Sequence, residues 1–259
     1  MTTGAPRMRH YKDYYSIHAQ SYDELRFDSD HEVSSTVEWL LDHLEWTTES
    51  VVAEVGAGTC RYISEIELNR PGRYVAVDLN IDQLRHRPSG FLPATCGTAL
   101  QLPIAAGSLA AYLAIMMIHQ VPRPDVPALL LEAHRVLTPG GVLFVKTSSS
   151  WDLERRPLIP FFPSTRAVNE KRYHSITDLT ETLTECGFTS EVTYRETRDL
   201  YQTSEYLKRV KGRGNTMLSF VADTEFEEGY ARLVAALEGQ DTYELLHHHT
   251  YILARKIRS

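Results

Sequence analysis

Between residues 36 and 44 the apolar side chains Val37, Leu40, Leu41 and Leu44 recur at i, i+3, i+4 and i+7, the stripe of an amphipathic helix. A turn-like Thr47-Thr48-Glu49-Ser50 follows. Apolar runs too short for helices then appear at 51–55, 74–77, 111–118 and 142–145. They are rich in strand-forming residues and show no polar face, so they predict buried strands. Segments of helical length at 60–68 and 126–137 separate them, the second closed by the stop and turn chemistry of Thr138-Pro139-Gly140-Gly141. Strand and helix alternate, which predicts a doubly wound α/β fold with a mostly parallel sheet covered on both faces.

The texture changes after Val145. Residues 151–163 hold Pro157, Pro160 and Pro163 among Leu158, Ile159, Phe161 and Phe162, which predicts an apolar loop without regular structure. Ser175-Ile176-Thr177-Asp178 has the form of a capping box, so a helix is predicted from Ser175, carrying Leu179, Leu183 and Cys186 and stopping at Gly187. Two late strands are expected at 191–197 and 249–254, separated by a helical insertion at 204–210 and 225–237. No repeat or linker divides the chain, so residues 1–259 read as one domain.

Composition narrows the class without naming a function. The hydrophobic share of 42% and the charged share of 24% are those of a globular protein. A net charge of −7 argues against a broad electropositive surface and against a nucleic-acid partner. The short basic run Lys208, Arg209, Lys211 and Arg213 reads as a solvated helix end. Cys60, Cys96 and Cys186 are far apart, so neither a disulfide framework nor a zinc site is indicated. The first nine residues lack the apolar stretch of a leader, and no apolar run approaches the roughly 20 residues of a membrane span. A cytoplasmic location is the expectation. His247-His248-His249 invites a metal reading, but consecutive strand residues alternate faces and the sequence offers no evident carboxylate partner, so no metal is expected.

The chemistry is concentrated where Val51-Val52-Ala53-Glu54-Val55 runs into Gly56-Ala57-Gly58-Thr59-Cys60-Arg61. Glycines there allow a tight turn and close approach of backbone N–H groups to a ligand, and a helix N-terminus beyond them favours negative charge. A G-x-G by itself is as readily a structural turn. The weight comes from Tyr74-Val75-Ala76-Val77-Asp78, a strand ending in a carboxylate 20 positions after Gly58. An acid at the end of the neighbouring strand can accept hydrogen bonds from ribose hydroxyls. Asp78 as a plain turn residue is the alternative. A nicotinamide site is disfavoured because Arg61 stands where the third glycine of G-x-G-x-x-G would be.

These residues resemble the class I S-adenosylmethionine-dependent methyltransferases, nearest the small-molecule branch related to ubiquinone and menaquinone biosynthesis enzymes. Four motifs stand in family order: Glu54-x-Gly56-x-Gly58, Asp78, the segment Gly97-Thr98-Ala99-Leu100-Gln101-Leu102-Pro103, and His134-Arg135-Val136-Leu137-Thr138-Pro139-Gly140-Gly141. The likeness is close over residues 11–148 and loose beyond. It implies a seven-stranded sheet with an antiparallel last strand, with residues 1–35 covering the site, 36–150 forming the cofactor core and 151–259 the substrate side. It further implies that Gly56, Ala57 and Gly58 contact the methionine end of the cofactor, with Glu54 near its ammonium. Asp78 would take the ribose, Leu79 would pack on adenine, and Thr98 and Ala99 would sit at its amino edge. Tyr14, Tyr22 and Arg26 would come from a covering segment, whose aromatics could equally pack a surface helix.

Three positions depart from the pattern: Cys60 for the third loop glycine, Thr98 for an aspartate at adenine, and Ala110 for an aspartate opening the fourth strand. They leave room for a partner subunit that keeps the fold without turnover, or for a cofactor-binding protein using the sulfonium charge in another reaction. Methyl transfer chiefly requires alignment of nucleophile and methyl group. Where the acceptor is a hydroxyl or an acidic carbon, His119, after Ile115-Met116-Met117-Ile118, is the candidate general base. His174 is a weaker candidate, and either histidine could be structural. The expected partner is a small-molecule methyl acceptor, held in part by Phe161, Phe162, Tyr201 and Tyr206 if these are not core; oligomeric state is not readable.

Overall fold

The computed structural model describes residues 26–27, 29–88 and 93–258. Its described elements run α1 (Asp30–His43), β1 (Val51–Val55), α2 (Arg61–Asn69), β2 (Arg73–Asp78), α3 (Ile81–Arg85), β3 (Ala94–Cys96), β4 (Leu109–Ile115), α4 (Val126–Val136) and β5 (Leu137–Thr147). They continue with α5 (Ser150–Glu154), α6 (Ser164–Arg172), α7 (Ile176–Glu185), β6 (Phe188–Gln202), α8 (Thr203–Lys211), α9 (Asp223–Ala236) and β7 (Thr242–Lys256). The seven strands form one sheet in the order β3-β2-β1-β4-β5-β7-β6. β1 to β5 are parallel, and β7 runs antiparallel to both its neighbours. This is the expected doubly wound fold.

The period-two geometry of the strands divides the core into two layers. In β5, Val142 and Phe144 face Val37, Leu40, Ile63 and Ile66 of α1 and α2. Leu143 and Val145 face Leu129, Leu130 and Ala133 of α4 and Leu179 and Leu183 of α7. Burial on both faces explains why these strands read as continuous apolar runs.

Past β5 the structure is more regular than the sequence suggests. The proline-rich stretch contains the short helix α5, started by a capping box between Ser149 and Asp152, and α6 follows it directly. β6 and β7 each span 15 residues and pair along their whole length, from Phe188 opposite Lys256 to Gln202 opposite Thr242. β5 meets β7 only up to Thr147 opposite Thr250. The outer halves of β6 and β7 therefore project beyond the carboxyl edge of the sheet as a ribbon, and α8 and α9 sit at its tip. A third apolar cluster packs there, with Phe162, Tyr201, Tyr206, Val210, Leu218, Phe226, Leu233 and Leu245. Among the described residues, no helix is long and apolar enough to cross a membrane.

Beneath the ribbon lies a buried polar cluster. Lys146 and Glu32 are fully buried and 2.5 Å apart, and Lys146 Nζ also donates to Thr36 Oγ1 at 3.0 Å and Tyr62 OH at 3.1 Å. Thr197 donates to the other Glu32 oxygen. Burial alone would raise the Glu32 carboxyl, but the Lys146 charge, followed by His249 and His247, outweighs it and holds the group below the usual carboxylate range.

The histidine triplet joins this cluster and has the carboxylates that the sequence did not reveal. His247 meets Asp199 at 2.8 Å, His248 meets Glu196 at 3.1 Å and His249 meets Glu32 at 3.1 Å. Each acid serves a different histidine, and among the described residues no group of acids, histidines and cysteines could hold a metal ion.

The basic run is only partly a solvated helix end. Arg209 donates to the Arg26 carbonyl, and Arg213 donates to the carbonyls of Leu218 and Val221 at 2.6 and 2.8 Å and to Asp223 at 2.8 Å.

Candidate functional site

The site is built on the carboxyl ends of β1, β2 and β4, where an open α/β sheet offers a crevice. From β1 the chain turns through residues 56–60 into α2, with Gly56, Gly58 and Cys60 at φ of +77°, +55° and +64°. Three alternate residues are thus left-handed, a conformation that costs an L-residue about 1–2 kcal/mol and glycine almost nothing. Cys60 carries that cost where the family pattern has glycine. Gly56 is also needed for space, since a Cβ there would fall 2.5 Å from Met117 Cβ. The Gly56 and Ala57 amides donate to the Val77 carbonyl at 2.7 and 3.1 Å, fastening the turn to β2.

Two carboxylates flank the turn. Asp78, at the tip of β2, accepts from the Gly58 amide at 2.7 Å on Oδ2 and from the Asn80 amide at 2.7 Å on Oδ1. Its burial raises the carboxyl above its ordinary range, against the pull of those amides. Glu54 reaches from β1 to accept from the Ile63 amide of α2 at 3.0 Å. Burial dominates over that bond, with the Asp78 charge adding to it and Arg26 opposing it, and pushes the Glu54 carboxyl up to about 8.

The cavity over these groups measures about 1090 Å³. Arg26, Glu54, Gly56, Ala57, Gly58, Asp78, Leu79, Thr98 and Ala99 all line it. Residues 79 and 98–100 form one wall, where Leu79 is 55% exposed and Thr98 Oγ1 accepts from the Leu100 amide at 3.3 Å. Tyr14 and Tyr22 lie outside the described residues. Ala110 lies in a second, smaller hollow formed with Thr138, Pro139, Gly140 and Gly141 at the opposite edge of the sheet, so that departure does not touch this cavity.

His119 lines the cavity, but not as a strand residue. β4 ends at Ile115, Met116 turns at φ +51°, and His119 sits in a 3-10 turn spanning Ile118–Gln120. Its Nε2 is 3.0 Å from Gln120 Nε2, while Nδ1 is buried with no hydrogen-bond partner among the described residues. Burial first, and then the charges of Arg172 and Arg156, hold the ring's pKa well below its ordinary value, so His119 is neutral at physiological pH. His174 is not among the cavity-lining residues; its Nε2 bonds the Ile118 carbonyl at 3.1 Å, bracing the turn that carries His119. Of the four proposed pocket aromatics, Phe162, Tyr201 and Tyr206 belong to the third core cluster and Phe161 packs against it; Tyr206 also reaches the cavity wall.

Sequence reasoning missed Asp152, Arg156, Arg172 and Tyr173, all of which line the same cavity. Arg156 stands in a stretch that is otherwise apolar and proline-rich, which is the signal available in the sequence. Asp152 belongs to a Ser-x-x-Asp capping pattern at Ser149, and Arg172 and Tyr173 precede the singled-out His174.

The comparisons with known proteins agree with this geometry. A family profile described as "Methyltransferase domain" matches residues 53–145, from β1 through β5. Over residues 53–145 the chain thus matches a methyltransferase domain. A protein described as a methyltransferase from an antibiotic biosynthesis pathway of Anabaena variabilis superposes with a TM-score of 0.72 at 19% identity, over 85% of this chain and 96% of that one. Geranyl diphosphate methyltransferase, solved in complex with S-adenosylmethionine, gives 0.56 at 16% identity over 89% of this chain and 91% of that one. The cyclase SpnF gives 0.60 at 15% identity over 99% of this chain and its own full length. These likenesses establish the fold that the methyltransferase domain adopts here, and the cyclase shows that such a fold does not by itself dictate the reaction. No curated protein matches by sequence, so kinship with the ubiquinone and menaquinone branch stays an expectation.

Proposed function

We propose that this protein transfers the methyl group of S-adenosylmethionine to an oxygen, nitrogen or carbon atom of a small molecule, leaving S-adenosylhomocysteine. The observation that carries the reading is the contact of Asp78 with the Gly58 amide at 2.7 Å, which brings the strand-end acid and the glycine turn to one wall of one cavity. The cavity's 1090 Å³ exceeds the several hundred Å³ of a typical ligand site, leaving room for an acceptor beside the cofactor.

The residues present fit that cofactor. The Asp78 carboxylate takes backbone amides from Gly58, Leu79 and Asn80 and, with about four lone-pair sites, keeps acceptor capacity for a ribose hydroxyl. Glu54 would meet the ammonium of the methionine moiety, with Gly56, Ala57 and Gly58 admitting it to the backbone. Leu79, Thr98 and Ala99 would bound adenine, while Arg26, with Tyr14 and Tyr22, would close the site from the N-terminal side. The bound cofactor supplies an electrophilic methyl on a sulfonium. For an acceptor hydroxyl, neutral His119 would take the proton at Nε2, giving up the hydrogen bond it accepts there from Gln120, as the oxygen–carbon bond forms and the carbon–sulfur bond breaks. The chain acts as one domain in this reading, with α8, α9 and the ribbon as the cover on the acceptor side. The free cysteines, Cys60 and Cys186 buried and Cys96 exposed, fit a reducing, cytoplasmic setting.

Calorimetry tests the assignment. S-adenosylmethionine and S-adenosylhomocysteine are expected to bind and NAD is not. Asp78→Ala should weaken binding by roughly tenfold or more, the loss of a hydrogen bond to a charged group. Unchanged affinity in that variant removes the ribose assignment.

A further inference from the structure

Charged side chains of both signs line the cavity, including Arg26 beside Glu54 and Asp152 in the stretch that carries Arg156. Glu54 and Asp78 stand at the glycine turn, whereas Arg156, Arg172, Tyr173 and His119 converge away from it around a single phenol ring. The Arg156 and Arg172 guanidiniums lie 5.1 and 5.8 Å from the Tyr173 ring centre, and that ring lies 4.7 Å from the His119 imidazole. Arg172 is only 8% exposed. The hydrogen bonds of Arg156 go to neutral oxygens, Ser148 Oγ and Tyr173 OH at 3.0 Å each and Asn169 Oδ1 at 3.4 Å, so none of them neutralises its charge.

Both guanidiniums lie within 6 Å of the same ring and line the same cavity, and an oxyanion held by both would form charge-assisted hydrogen bonds with each. Their joint field is visible on the neighbours. Burial alone would raise the Tyr173 phenol, yet Arg156 and Arg172 bring it below its ordinary value. A second observation points into the cavity independently: the buried Nδ1 of His119 lines it without a partner among the described residues. Asp152 also lines the cavity; its Oδ2 accepts from the Ser149 amide, Ser149 Oγ and Thr250 Oγ1, and its buried Oδ1 has no hydrogen-bond partner among the described residues, so a bound anion must be held by two guanidiniums against this one carboxylate. Pro157, Leu158, Tyr206 and Leu245 complete the wall with apolar surface.

We propose that the methyl acceptor is an anion, its carboxylate or phosphate clamped by Arg156 and Arg172 beside His119 and its apolar body packed on Leu158, Tyr206 and Leu245. Calling the ligand an acceptor rests on the methyltransferase reading; the anion site itself does not. The clamp fixes one end of the acceptor so that its nucleophilic atom can be held in line with the methyl group.

Benzoate and phenyl phosphate, with benzamide as the uncharged control, are titrated calorimetrically into the full chain, with and without saturating S-adenosylhomocysteine. At least one anion is expected to bind roughly tenfold or more tightly than benzamide, and which of the two binds better identifies the oxyanion. Arg156→Gln and Arg172→Gln should each abolish that preference, and Arg156→Lys should restore part of it. Unaltered S-adenosylhomocysteine affinity and thermal melting in these variants show that the fold is intact. Equal binding of anions and benzamide, no anion binding in the millimolar range, or a preference that survives both substitutions overturns the proposal. Anion binding that is lost in the Arg variants of a chain with no affinity for S-adenosylhomocysteine upholds the clamp and removes the methyltransferase reading instead.

Discussion

Glu54 joins β1 to α2 on the cavity wall, and its replacement by glutamine isolates one ionisation in an otherwise preserved shape. The native carboxyl is 2% exposed and holds its proton up to about 8, whereas an unfolded chain releases it near 4.3. Between those limits the native state binds one more proton than the unfolded state, so stability falls as pH rises through the window and levels off above it. The slope is about 1.4 kcal/mol per pH unit. The side-chain amide of Glu54→Gln cannot titrate, yet its oxygen can still accept from the Ile63 amide. Urea unfolding of both proteins at several pH values between 5 and 8 should show the wild type losing its advantage over Glu54→Gln at about that slope. A cofactor ammonium requires the carboxylate, so wild-type binding of S-adenosylhomocysteine should release a proton and weaken about tenfold per pH unit below the Glu54 pKa. Above the Glu54 pKa the variant should bind about 1.5–3 kcal/mol more weakly than the wild type, with no such pH dependence. Parallel stability profiles for the two proteins would mean that Glu54 is ionised throughout, and the reasoning from burial would be wrong.

Two further outcomes follow from the same structure. Lys146→Met leaves the buried Glu32 carboxylate with His249 as its remaining ionic partner, which should cost about 3–5 kcal/mol in urea unfolding; Glu32→Leu together with Lys146→Met should recover part of that loss, and additive effects in the double variant would refute a direct pairing. Once an acceptor is known, His119→Asn should lower kcat while leaving S-adenosylhomocysteine affinity within about twofold, and full turnover in the variant would end the general-base role.

Much of the glycine-turn half of the cavity was legible in the residues. The turn from β1 into α2 is local, and its glycines announce left-handed backbone whatever surrounds them. Asp78 is carried to the turn by the spacing of one β-α-β unit. Strands buried on both faces declare themselves as apolar runs because no position along them faces water. Cys60 was legible only as a departure; its φ of +64° shows that the backbone kept the glycine conformation without the glycine.

The half of the cavity around Tyr173 was decided by tertiary structure. β6 and β7 are held along 15 residues each by backbone hydrogen bonds to one another, and the alternating exposure of β6 left only part of it apolar enough to read. Lys146 and Glu32 are 114 residues apart, and nothing local to either marks it as buried. Arg172 neighbours Tyr173 in the chain, but Arg156 comes from the stretch after β5 and His119 from the turn after β4, and only packing brings those two to the Tyr173 ring. Periodicity and turn chemistry are written over a few residues, so a sequence displays them. The meeting of distant charges depends on chain segments whose approach is determined by the whole core, and no local pattern encodes it.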